Sequence, residues 1–183
     1  MRGLVLALLF TAGWIPLYVF RAEEMSEALP YYSATERRSV RYAAVILIAH
    51  TSIACIVLSL TSPPLWRAGL GLLLFGAAIG FCMWARAQIG PLRLTRLPDQ
   101  PPPTLRRDGP FGVVRNPLYL GYLVAAAAPA VTAGRPLLAV TYAACFLALA
   151  IRAAQEERRL HTQLGPAYAE YCRSVKRLIP YVW

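Results

Sequence analysis

The chain has 183 residues, 57% of them apolar and 15% charged, with a mean hydropathy of +0.46. That is enough chain for one domain of ordinary size, but it is not the composition of a soluble one. The net charge of +10 would suit a nucleic-acid partner, yet the basic residues fall between apolar blocks in a way that a membrane explains and a nucleic-acid footprint does not.

Residues 3–20 form the first of five windows free of Lys, Arg, Asp and Glu. Arg2 precedes it as in a signal peptide, but no small-residue cleavage pattern ends the run at Val19-Phe20-Arg21, so a retained helix is expected. Residues 21–41 then read as a mixed-charge loop. Within it, Ser33-x-x-Glu36 fits a capping box, which starts the second helix before the membrane begins. The second window, 42–66, contains a lone His50, expected to be a polar packing contact between helices rather than a catalytic group. Thr61-Ser62-Pro63-Pro64 marks a tight outer turn. The third window, 68–85, has Trp66 and Trp84 near its ends. These tryptophans, like the pair Tyr31-Tyr32, read as an interfacial aromatic belt.

Residues 85–115 hold six prolines and six arginines, too polar to span, and form a long cytoplasmic loop of the kind that is usually functional or disordered. The fourth window, 116–134, and the fifth, 136–151, meet at Gly134-Arg135-Pro136, as an antiparallel hairpin would. A span needs roughly 20 apolar residues; the fifth window, at about 24 Å of helix, is shorter than the ~30 Å hydrocarbon core. Its charged continuation should therefore lie at the cytoplasmic boundary. Gly165-Pro166 ends that helix and starts another. Tyr168, Tyr171, Cys172 and Val175 then share one face of an amphipathic tail, expected on the membrane surface or folded over the bundle.

The expected fold is all-α: a polytopic membrane protein of about five transmembrane helices, with a C-terminal helical hairpin and an amphipathic cytoplasmic tail. Residues 1–84 supply three spans, and residues 85–183 form a second region of loop, two-helix hairpin and helical tail. Of the 19 Lys and Arg residues, 16 fall in 21–41, 85–115 and 152–183, leaving Arg2, Arg67 and Arg135 on the other side. By the positive-inside rule the amino terminus is outside and the carboxyl terminus cytoplasmic. The basic charge then reports topology and anionic headgroups, with no nucleic acid required. Cys55, Cys82, Cys145 and Cys172 have no metal-ligand spacing, so no metal site is expected and the thiols read as small buried apolar groups.

Two stretches carry chemistry. In 109–124, GPFGVVRNPLYLGYLV, Gly109-Pro110 is a turn, Asn116-Pro117 a helix start, and Gly121 a point of close approach. In 151–160, IRAAQEERRL, Arg152 and Glu156 are i, i+4 neighbours and Glu157 flanks them. As a solvated helix this is a surface salt bridge; near membrane depth such groups are costly unless paired, solvated or functional. The hairpin brings the two stretches to one end, where a helix N-terminus, an arginine, two glutamates and several tyrosines suit a zwitterionic or cationic small molecule beside a lipidic one.

Three blocks together carry a family resemblance: Gly109-Pro-Phe with Val114-Arg-Asn-Pro-Leu-Tyr-Leu-Gly121; Arg152 with Glu156-Glu157 and Leu160; and Leu164-Gly165-x-x-Tyr168-x-x-Tyr171-x-x-x-Val175-x-x-x-Ile179-Pro180. Over roughly the last hundred residues the chain resembles the integral-membrane methyltransferases, both the isoprenylcysteine carboxyl methyltransferases and the phospholipid N-methyltransferases. The resemblance implies a cytoplasm-facing pocket for S-adenosylmethionine and a lipophilic acceptor entering from the bilayer. By it, Gly109, Pro110, Phe111, Arg115, Asn116, Pro117, Tyr119, Glu156 and Glu157 bind the cofactor, and Arg152, Glu157 and Asn116 face the reaction. The family commonly has Arg-His-Pro where this chain has Arg115-Asn116-Pro117. Asn donates and accepts hydrogen bonds but does not shuttle a proton at neutral pH, which removes a general base there and leaves cofactor positioning.

Methyl transfer from a sulfonium asks a protein mainly to align the reactants and exclude water. A thiol or amine must also lose a proton, to Glu157 or a tyrosine; a carboxylate needs only an arginine such as Arg152. Two other classes compete: a membrane reductase of related architecture using NADPH, for which no basic nucleotide block stands out, and a non-enzymatic membrane subunit or small transporter, which leaves the two polar stretches without a purpose.

Overall fold

A computed structural model describes residues 1–28, 32–89 and 105–182, with residues 16–28 and 89 described by their backbone alone. Seven helices account for most of these residues: α1 (Arg2–Ala28), α2 (Ala34–Ser59), α3 (Leu65–Ile89), α4 (Pro110–Val113), α5 (Pro117–Ala133), α6 (Pro136–Leu164) and α7 (Pro166–Ser174). The protein is an all-α polytopic membrane protein. Three helices are long and apolar enough to cross a bilayer, at 34–59, 65–88 and 136–164, and two shorter apolar stretches lie at 2–15 and 117–133. Apolar side chains such as Leu4, Leu8, Val45, Ile48, Leu73 and Val140 point outward from these helices, as lipid-facing surfaces do.

The helix ends follow their local chemistry. The capping box forms as expected: the Ser33 amide donates to Glu36 Oε2 at 2.8 Å and the Glu36 amide to Ser33 Oγ at 3.2 Å. Gly134, in the left-handed region at φ 61°, ends α5, and Gly165 ends α6. One expectation needs correction. The loop placed at 21–41 is mostly helix, because α1 runs on to Ala28 through RAEEMSEA, a stretch rich in helix-forming Ala, Glu and Met. The fifth window is part of the 29-residue α6, which continues through its charged residues to Gly165 as expected, while α5 is the shorter apolar helix at 17 residues.

The expected hairpin of α5 and α6 exists, but each helix has its main partner elsewhere: α5 packs most extensively on α3, and α6 on α2. Small residues explain the first pairing. A Cβ at Gly121 would overlap the Cys82 sulfur, and one at Gly71 would overlap Thr132 Oγ1, so the backbones of α3 and α5 approach as closely as glycine permits. His50 ties three helices, bonding Thr141 Oγ1 at 2.7 Å on α6 and the Ala126 carbonyl at 2.9 Å on α5; it is the polar packing contact expected. Phe10, Trp14, Phe75 and Tyr122 form an aromatic cluster joining α1, α3 and α5.

Candidate functional site

At one end of the bundle, the chain after Gly109 is shaped by its own sequence. Gly109 has φ 58° and ψ −132°, a conformation that L side chains rarely adopt, and it lies against Trp84 and Gln88 of α3. Pro110 starts the single turn of α4, Val114 is extended, and Pro117 starts α5. The extended residues pair with the chain beyond α7. Val114 and Lys176 form a parallel bridge, in which the Arg115 amide donates to Lys176 O at 2.8 Å and the Asn116 amide to Arg177 O at 3.1 Å. Tyr171 Oη donates to Phe111 O at 2.6 Å, and Arg107 to Ala167 O at 3.0 Å. The tail thus folds back over the bundle, one of its two expected placements.

Glu157, 5% exposed, is where these pieces converge. Arg115 grips it with Nε on Oε1 at 2.9 Å and Nη2 on Oε2 at 3.2 Å. Arg177 Nε donates to Oε2 at 2.8 Å and Asn116 Nδ2 to Oε1 at 3.1 Å. Arg115 Nη1 donates to the carbonyls of Cys172 and Val175, at 3.1 and 2.6 Å. Burial lowers the pKa of this guanidinium, but the Glu157 carboxylate more than offsets that, and the net shift is upward. Asn116 sits at the N-cap of α5 without capping it, since its amide turns to Glu157 and to Arg177 O.

The acidic neighbour behaves differently. Glu156, half-buried, accepts a 2.7 Å hydrogen bond from Tyr119 Oη through Oε2. One turn before it, Arg152 is 3% exposed, which overturns the solvated surface salt bridge. Its Nη1 donates to Ser39 Oγ and to Gln155 Oε1, both at 3.2 Å, and its guanidinium lies 5.6 Å above the Tyr32 ring. Tyr32 is therefore no belt residue: it is buried, with Arg159 5.0 Å from its ring as well. Tyr31 lies outside the described residues, as does the run Pro101-Pro102-Pro103.

Tyr168 and Tyr171 are buried beside this cluster, and burial pushes both phenols well above their ordinary pKa. Neither accepts a proton at neutral pH. The Cys172 thiol is also pushed up by burial, and its sulfur lies 3.8 Å from His161 Nε2.

All the residues expected at the site lie at this one end, and they form three groups. Arg115, Asn116 and Glu157 bind one another. Tyr119 and Glu156 form a second pair. Arg152 belongs with Tyr32, Ser39 and Gln155. Gly109, Pro110, Phe111 and Pro117 shape the backbone between them. Sequence reasoning missed Arg177, Ser39 and Gln155. No local signal marks Arg177, whose place depends on a bridge across some sixty residues. Tyr32 had one, in standing immediately before the capping box, where an apolar side chain fixes the entry of a helix.

Comparison with known proteins identifies the family. The family model for phospholipid methyltransferases matches residues 66–166. A methanethiol S-methyltransferase from a Pseudomonas species is 31% identical over 149 residues, covering 75% of this chain and 55% of the relative. Methanethiol S-methyltransferase 1 of Bradyrhizobium diazoefficiens is 40% identical over 82 residues, 44% of this chain and 27% of the relative. The Delta(14)-sterol reductase of Mus musculus is 40% identical over 79 residues, 42% of this chain and 19% of the relative. The chain thus spans about half the length of the first of these relatives and less of the other two. The matched segment holds α5, most of α3 and all of α6, the helices that carry Trp84, Tyr119, Arg152, Glu156 and Glu157. The chain belongs to the phospholipid methyltransferase family.

Proposed function

We propose that the protein transfers a methyl group from S-adenosylmethionine to a lipophilic acceptor at the cytoplasmic face of the membrane. The observation that carries this reading is the convergence, at one end of the bundle, of the α5 start, the Arg152–Glu157 stretch and the tail. The basic residues favour that end as cytoplasmic, with the amino terminus outside. Residues 85–183 are then the catalytic region and the first three spans its support.

The residues present fit such a donor. The α5 N-terminus, which no side chain caps, turns a positive dipole end to a carboxylate, and Glu156 offers a carboxylate to a cationic centre. When bound, S-adenosylmethionine supplies a methyl on sulfonium, with a good leaving group already in place. The protein's share is alignment, exclusion of water and, for a thiol or amine, removal of a proton. Glu157, with both oxygens engaged by Arg115, Arg177 and Asn116, serves best as the organiser of the pocket wall. Glu156, through Tyr119, is the better proton acceptor. Arg152 orients the acceptor, and Gly109 to Phe111 with Arg115 to Pro117 form the wall on the cofactor side.

The relatives named for methanethiol favour a thiol acceptor and the family description a phospholipid amine. Incubating the purified protein with methyl-labelled S-adenosylmethionine, a total lipid extract and a panel of small thiols tests the reading; label should pass to an organic-soluble product. A second reading, a reductase using NADPH, has the sterol reductase similarity in its favour. Thermal protection separates the two: S-adenosylhomocysteine should stabilise the protein and NADPH should not. Protection by NADPH alone would make the reductase the better reading.

A further inference from the structure

The family match begins at residue 66, yet one group at the site draws on chain well before it. Ser33 and Glu36 cap α2 reciprocally, which fixes the direction in which Tyr32 enters the helix. In a hydrophobic staple the residue at that position folds onto the fourth residue of its own helix. Here that residue is the exposed Arg37, and Tyr32 instead reaches across to α6. Its ring is approached by two guanidiniums, Arg152 at 5.6 Å and Arg159 at 5.0 Å, both within the range of a cation–ring attraction. Ser39, less than two turns along α2, accepts from Arg152 Nη1 at 3.2 Å and donates to Gln155 Oε1, which accepts from the same Nη1. One buried guanidinium is therefore held by the chain entering α2, by α2 and by α6 itself. Arg152 stands one turn from Glu156, whose carboxylate holds Tyr119.

We propose that Tyr32 and Ser39 are positioning residues that set the orientation of the Arg152 guanidinium toward the methyl acceptor. The proposal rests on the reading of Arg152 as the acceptor-facing group. It makes the cytoplasmic start of α2 part of the active machinery: the segment outside the family match decides how a residue inside it is aimed. A planar guanidinium gains its directionality from being held in one plane, and a small misplacement of an orienting group costs rate without costing cofactor affinity. The aromatic ring of Tyr32 is a part that meets the Arg152 guanidinium, and Tyr32→Phe keeps it.

The test compares Tyr32→Leu, Tyr32→Phe and Ser39→Ala with the parent protein in nanodiscs. Three quantities are read: affinity for S-adenosylhomocysteine, transfer of labelled methyl to the acceptor, and phenylglyoxal modification of Arg152 followed by mass spectrometry. Tyr32→Leu should expose Arg152 to phenylglyoxal and lower kcat/KM for the acceptor roughly 10- to 100-fold, with cofactor affinity within about twofold. Tyr32→Phe should restore both. Ser39→Ala, a milder change, should fall between them and covers the case in which Tyr32→Leu does not fold. A parent that neither binds S-adenosylhomocysteine nor transfers label sinks the methyl-transfer reading, and this proposal with it. A competent parent with an equally competent Tyr32→Leu sinks the proposal alone, as does a Tyr32→Phe no better than Tyr32→Leu.

Discussion

Glu157 and Arg115, 42 residues apart in the chain, meet through both carboxylate oxygens at 2.9 and 3.2 Å, with side chains only 6% and 10% exposed. The pair joins α6 to the start of α5, and Arg177 extends it to the tail. Removing one partner of a buried pair leaves the other charge uncompensated, at a cost of about 3–5 kcal/mol. Glu157→Gln should therefore lower the unfolding midpoint in detergent and open the tail to trypsin at Arg173, Lys176 and Arg177. Glu157→Ala should also abolish binding of S-adenosylhomocysteine while circular dichroism still reports a helical bundle. Cofactor binding at parental affinity in that variant would mean the pocket does not depend on this wall.

The Tyr119–Glu156 pair should behave in the opposite way. Losing one part-buried hydrogen bond to a carboxylate costs about 1.5–3 kcal/mol, so Tyr119→Phe and Glu156→Gln should lose less stability than the Glu157 variants and still fold. If Glu156 takes the acceptor's proton, Glu156→Gln should slow transfer to a thiol or amine by about 10²- to 10⁴-fold. Label-transfer rates measure this directly, and parental turnover would remove Glu156 from the proton path.

Alkaline pH should destabilise the protein in a way traceable to two phenols. Tyr168 and Tyr171 have raised pKa values in the folded state, chiefly through burial. The folded state therefore keeps these protons when the unfolded chain begins to lose them, and their contribution to stability declines as pH rises above about 10. Unfolding midpoints measured from pH 8 to 11 should fall more steeply in the parent than in Tyr168→Phe. Tyr171→Phe should also flatten the profile, but from a lower starting stability because its hydroxyl holds Phe111 O.

Close packing of α3 and α5 predicts a suppressor pair. Gly121→Ala places a methyl where the Cys82 sulfur lies, and overpacking of that kind costs about 1–3 kcal/mol. The next atoms, Ala78 O at 3.5 Å and Cys82 Cβ at 3.7 Å, are at ordinary contact distance. Cys82→Ala should therefore recover most of the loss when combined with Gly121→Ala. A double variant no more stable than Gly121→Ala would place the strain elsewhere.

What could be read from the residues themselves was whatever depends on neighbours in the chain. Apolar blocks and their charged borders declare a polytopic helical membrane protein, because bilayer thickness and backbone hydrogen bonding leave few alternatives. Ser33 and Glu36, Gly165 and Pro166, and Asn116 with Pro117 mark their helix ends by local chemistry. The motif blocks around Gly109, Arg115 and Glu157 carry the family, which the match over 66–166 bears out.

Pairing was decided only in three dimensions. Two adjacent glutamates look alike in the sequence, yet helix rotation turns Glu157 into two arginines and Glu156 toward a tyrosine. Arg152 has the i, i+4 spacing of a surface ion pair, but the packing of α2 on α6 buries it under Tyr32. Arg177 reaches Glu157 because the tail lies alongside Val114, a bridge set by backbone geometry. Spacing along a helix states which side chains share a face; only the neighbouring helices determine what that face meets.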